Sequence, residues 1–200
     1  MMRKLADRLQ SIPGTNSSVM GAGGFTVAEI IIALGIGSIL LLAMVSLFAS
    51  INRCYTTQNV AADVQQVTRV GIDIIAKHIR LAGLNPLQVA NAGIVTAQPS
   101  QLHLTYDDNG DGTIDSTEDI TFLVQDNTLK RQTRNGSQPI LDNVSNLSFT
   151  YFNAADETAT TTNAIRTVGI SLTVEEPAGR DQSLSRTYST RVIGRNLGFQ

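Results

Sequence analysis

The chain has 200 residues, a net charge of −2 and 16% charged residues, a length that suits one membrane helix plus one modest globular domain. Nothing in that charge balance points to nucleic acid. A single cysteine, Cys54, excludes an internal disulfide and any CxxC metal or redox motif.

Residues 1–24 are polar, with Arg3, Lys4 and Arg8 set against Asp7. Pro13, Gly14, Asn16, Ser17 and Ser18 break any helix beyond the first ten residues. From Phe25 to Ser50 there are 26 residues with one charge, Glu29. That run exceeds the roughly 20 apolar residues a helix needs to span a bilayer. An ordinary secretory signal is cut after its apolar region. Here the small residues Gly21, Ala22, Gly23 and Gly24 come before it, so a cut there removes a basic leader and leaves the apolar helix on the mature chain. The leader's positive charges would stay cytoplasmic and direct the rest outward.

Gly24-Phe25-Thr26-Val27-Ala28-Glu29 followed by an apolar stretch resembles the class III signal of type IV prepilins and type II secretion pseudopilins. The resemblance implies cleavage by a prepilin peptidase between Gly24 and Phe25, methylation of the new amino terminus at Phe25, and an assembly role for Glu29. A carboxylate in a membrane helix costs about 2.5–3.5 kcal/mol and normally has a partner. The family supplies one, the Phe25 amine of a neighbouring subunit, and that pairing would set the axial register of a filament core. The plainer alternative is a lone Glu29 reaching to water from an ordinary single-pass anchor.

No strong helix stop occurs between Phe25 and about Ala82. Residues 25–51 form the expected transmembrane or filament-core helix, with Gly35 and Gly37 as small residues that permit close helix approach. Residues 52–85 are its amphipathic half. There Val60, Val64, Val67, Gly71, Ile74 or Ile75, and His78 recur at spacings of three and four, and Gly83 with Asn85-Pro86 supplies the stop. The closing string Ile79-Arg80-Leu81-Ala82-Gly83 resembles the helix end of PilW-like minor pilins and J-type pseudopilins.

Residues 86–200 read as a β-rich domain exposed to the periplasm or the exterior. Leu102–Tyr106, Ile120–Val124, Thr128–Gln132, Leu147–Tyr151, Val168–Val174 and, more weakly, Leu184–Thr190 alternate as strands. Asp126-Asn127 and Asn135-Gly136 mark hairpin turns, and Asn153–Asn163 reads as a polar exposed loop. The expected fold is α+β and pilin-like: a long N-terminal helix packed by its second half on an antiparallel sheet.

Within this domain, Asp107–Glu118 fits the twelve-residue EF-hand calcium loop. Asp107, Asn109 and Asp111 stand at positions 1, 3 and 5, and Gly112 at the sharp turn. Thr113 would offer its carbonyl, Asp115 a direct or water-bridged contact, and Glu118 a bidentate carboxylate. The flanks read as strands, so the helix-opening motion of calcium sensors is not expected. The alternative is an acidic hairpin turn, since Asn-Gly and Asp-Gly both favour turns. Crowded carboxylates repel one another without a cation, which favours a structural Ca²⁺.

Neither His78 nor His103 has a metal or nucleophile partner in the sequence, and packing or surface roles are expected for both. The Lys130, Arg131 and Arg134 cluster reads as a solvated strand face, and Cys54 as a free thiol at the membrane edge. No nucleophile elbow, P-loop or dinucleotide fingerprint occurs, so an enzyme is not expected. The leading expectation is a minor pilin that helps initiate or cap a type IV pilus. It would sit in the inner membrane before assembly and in the filament after it, with other pilins and the prepilin peptidase/methyltransferase as partners. A type II secretion pseudopilin is the close alternative, and a calcium-dependent adhesive module at a filament tip is an alternative of another class.

Overall fold

The computed structural model describes residues 23–178 and 183–198. Most of the expected leader, residues 1–22, lies outside the described residues. The chain divides into two units, Met1–Phe48 and Ala49–Gln200. Helix α1 (Val27–Leu81) begins in the first and ends in the second.

In the first unit the helix runs unbroken through Gly35 and Gly37. Every large apolar side chain from Phe25 to Phe48 is exposed, and the helix is long and apolar enough to cross a membrane. Apolar surface of this extent on all sides of a helix requires lipid or other helices around it.

In the second unit, Val64, Thr68, Gly71, Ile72, Ile75, Ala76, His78 and Ile79 form the buried stripe of α1. This differs by about one position from the expected stripe: Val67 is 38% exposed and Thr68 faces inward at 1%. A buried threonine is tolerated because its hydroxyl donates to the Val64 carbonyl at 2.6 Å. Gly71 has a packing reason, since a Cβ there would meet Leu172 and Leu141 side chains at 3.0 and 3.1 Å. After the helix, Gly83 turns the chain with φ +78°, and its N–H donates to the Thr105 carbonyl at 3.1 Å. This is the glycine stop expected at the end of the helix.

The expected single sheet is two antiparallel sheets. The first has five strands in sequence order: β1 (Gly93–Gln98), β2 (Gln101–Thr105), β3 (Asp119–Gln125), β4 (Thr128–Thr133) and β5 (Gly136–Leu141). The second has three: β6 (Val144–Phe152), β7 (Thr167–Pro177) and β8 (Ser183–Ile193). The period-2 pattern acts as anticipated: Leu102, Leu104, Ile120, Phe122 and Leu129 are fully buried, with Leu102 opposite Phe122 and Leu104 opposite Ile120. Asp126 and Asn127 both have positive φ, as a two-residue hairpin between β3 and β4 demands. Strands β1 and β5 were not resolved as separate strands by alternation. β5 carries Pro139, which an edge strand accommodates because no second ladder needs its N–H. Phe149 N–H donates to the Pro99 carbonyl at 2.7 Å and joins the two sheets.

Candidate functional site

Two places carry the residues singled out above. The first is the start of α1. Thr26 precedes the helix, and its hydroxyl accepts from Glu29 N–H at 3.2 Å. Glu29 Oε2 in turn accepts from Thr26 N–H at 2.9 Å and from the Thr26 hydroxyl at 3.0 Å. This is a capping box: two otherwise orphaned helix amides are satisfied reciprocally. Thr26 was not among the expected site residues, although Thr-x-x-Glu ahead of an apolar run is the sequence signature of this cap. Only Oε2 of Glu29 is engaged by described residues. Phe25, beside the expected cut, is 84% exposed.

The second place is the β2–β3 connection. The end of β2 is drawn in by Asp107 N–H donating to the Leu84 carbonyl at 2.8 Å. Asp107 is fully buried and Glu118 is 4% exposed, so the first and last acids of the loop point inward. Asp107 accepts from Gly110 N–H at 2.7 Å and Gly112 N–H at 3.0 Å. Glu118 accepts from Asp108, Asn109 and Asp115 amides at 2.8, 3.3 and 2.9 Å. Gly110 and Gly112 both have positive φ, so the turn uses their freedom directly. On the outer side, the Asn109 amide nitrogen sits between Asp111 at 3.0 Å and Asp115 at 3.2 Å. The Thr113 hydroxyl and N–H donate to Asp111 at 2.7 and 2.8 Å and hold its carboxyl below the usual carboxylate range.

The loop thus gathers Asp107 and Glu118 within and Asn109, Asp111 and Asp115 without. No described group of three or more His, Cys, Asp or Glu side chains is arranged to hold a metal ion. In kind, the oxygens match calcium, a hard cation that takes six to eight oxygen ligands. In the present arrangement the inner carboxylates are spent on loop amides, and the Asn109 N–H₂ group fills the position between the two outer acids.

The ring of polar contacts reaches further than the sequence indicated. Asp119, next after the loop, accepts from His103 Nε2 at 2.6 Å and Arg134 Nε at 2.7 Å. Burial pushes the Asp119 carboxyl up, but the His103 and Arg134 hydrogen bonds outweigh it and hold it below the usual range. Arg134 is exposed, as expected of a solvated face, and its Nε also ties that face to Asp119; His103 has a carboxylate partner across β2 and β3. His78 is buried, with Nδ1 3.2 Å from the Tyr106 hydroxyl and its ring against Tyr106 and Phe122. Burial, helped by the Arg131 and Lys77 charges, lowers its pKa to about 4. Cys54 is free and exposed.

A family model described as prepilin peptidase-dependent protein B matches residues 57–194. No curated protein matches the chain.

Proposed function

The chain belongs to the prepilin peptidase-dependent protein B family, and from that premise we propose that it is a minor pilin of the PilW type that takes part in type IV pilus initiation or tip structure. The observation that carries the reading is a coincidence of two independent signals. The family match starts at residue 57, well after the six-residue motif Gly24–Glu29 that resembles a prepilin cleavage site. In this reading the peptidase cuts between Gly24 and Phe25 and the Phe25 amine is methylated. The helix after it holds the chain in the inner membrane until it enters a filament. Glu29 then serves two partners. Oε2 stays with Thr26, and Oε1 receives the cationic amine of an adjacent subunit. A charge pair in that low-dielectric core would be strong enough to select register, because either charge left alone is costly.

Mass spectrometry of the mature amino terminus tests the processing step. A methylated Phe25 terminus is the expected result, and a functional chain that keeps residues 1–24 would overturn the proposal. Deleting the chain separates the pilin role from that of a secretion pseudopilin: the former predicts loss of surface pili, the latter loss of exported protein with pili intact.

A second element of the proposal is that the Asp107–Glu118 loop takes a structural Ca²⁺. Its support is the chemistry of the donor set and the inward placement of two carboxylates at the loop ends. Asp107, Asn109, Asp111, Asp115 and Glu118 would hold the ion with the Thr113 carbonyl. The ion would supply charge neutralisation and rigidity in a compartment where calcium is plentiful. Calorimetric titration of the full chain in detergent should give saturable calcium binding in the micromolar-to-millimolar range typical of such loops; a flat titration rejects the site.

A further inference from the structure

We infer that the cleft between β1, the 3₁₀ turn at Thr162–Ala164 and the C-terminal segment is a receptor for a carboxylate group, with Arg166 as its binding residue. The cleft has a volume of about 310 Å³ and is lined by Arg166, Asn91, Thr162, Asn163, Val95 and Gly198 among others. Its polarity comes from two side-chain amides, one hydroxyl and one guanidinium, with no acid among the described lining residues.

The argument rests on how Arg166 spends its donors. A guanidinium has five N–H groups in a fixed fork. Nη1 donates to the Asn163 and Ile165 carbonyls, both at 2.8 Å, which uses both of its hydrogens. Nε and Nη2 have no acceptor among the described residues. That remaining edge is the one whose two parallel N–H groups match a carboxylate bidentately. The side chain is half-buried and its guanidinium lies against Gly198, where a Cβ would clash with it. The arginine is therefore held in one orientation before any ligand arrives, which lowers the ordering cost of binding. Arg134 and Arg191 each close an ion pair with an aspartate; Arg166 has none among the described residues, and it is the arginine that lines this cleft. Its fixed backbone contacts account for one nitrogen and leave the charge without an acidic partner among the described residues.

The ligand class is a carboxylate, from an acidic side chain of another protein or from a free organic acid. The test is NMR of the full chain in detergent micelles with ¹⁵N-labelled arginine, following the Arg166 Nε–H signal, assigned by its loss in Arg166→Lys. Titration with sodium acetate should give a saturable shift, and sodium chloride at the same ionic strength should not. A parallel titration with the blocked peptide Gly-Glu-Gly, amidated at its C-terminus, separates the two sources. Saturation at a tenfold or lower concentration than acetate assigns a protein side chain, and equal or weaker binding assigns a free acid. In uniformly ¹⁵N-labelled Arg166→Lys, which keeps the charge but not the fork, acetate affinity measured on neighbouring backbone amides should fall at least fivefold relative to the uniformly labelled native chain. A linear, non-saturating response of the native chain to both probes, equal to that of chloride, would overturn the inference.

Discussion

Thr26 and Glu29 satisfy one another at the start of an apolar helix, and this local bond matters before any neighbouring subunit does. Removing a threonine N-cap typically costs about 1 kcal/mol. Thr26→Ala should therefore expose the Glu29 N–H, raising its hydrogen-exchange rate in detergent by roughly fivefold, while Thr26→Ser stays within about twofold of the native rate. Equal rates in all three chains would show that the cap does not hold in a membrane-like setting. His78 makes a second prediction at this scale. Its folded pKa is about 4 against an ordinary value of 6.5, so between those values the unfolded chain binds more protons than the folded one. Stability from this group is complete above pH 6.5 and is lost as pH falls towards 4, a change on the order of 2 kcal/mol. His78→Gln, which keeps a polar partner for Tyr106 without titrating, should flatten that part of the stability profile. Denaturant unfolding at pH 7.0 and 4.5 measures it, and an unchanged slope in the variant would assign the pH dependence to other groups.

At the scale of elements, what was legible in the sequence followed the strength of periodicity. The apolar helix, the Gly83 stop and the strands around Leu102, Ile120, Leu147 and Val168 each carry a local pattern that the fold obeys. The strands β1 and β5 were obscured because their burial barely alternates: β1 has one buried residue, and β5 is exposed over its first four residues, where even Pro139 is accepted at the sheet edge. Val67 and Thr68 were exchanged for a different reason: hydrophobicity favoured valine as the inner residue, while a hydrogen bond to Val64 makes threonine fit there. The acidic loop was legible as a motif, but its ties to His103 and Arg134 depend on strand register and could not be read from spacing. In the proposed calcium site Asp107 would serve both the metal-free loop and the ion, and Asp111 chiefly the ion. Asp107 is fully buried and holds two amides, so Asp107→Ala should lower calcium-free stability by about 2–3 kcal/mol. Asp111 is exposed, and Asp111→Asn still accepts from Thr113. It should leave calcium-free melting within about 1 °C and remove most of the calcium-induced rise, which for a saturated site in a domain of this size is about 5 °C or more. An undiminished rise in Asp111→Asn would exclude this carboxylate from the site.

For the whole molecule in the proposed role, the chain would serve two solvents in turn, and Glu29 is the residue on which that passage depends. Its carboxylate could matter through the cap it closes or through the charge it carries, and substitution can separate the two. Glutamine replaces glutamate in capping boxes, so Glu29→Gln keeps the bonds with Thr26 while removing the negative charge. Glu29→Ala removes both. If an adjacent subunit's amine is the essential partner, both variants should be cut after Gly24 and reach the membrane, and both should be absent from sheared filaments. The glutamine side chain cannot form the ion pair that offsets a buried amine. If the cap alone sufficed, Glu29→Gln would assemble at native levels and only Glu29→Ala would fail, and the ion-pair account of register would have to be abandoned. Immunoblots of sheared filaments against membrane fractions distinguish these outcomes, with Gly24→Val as the uncut control that stays in the membrane with its leader attached.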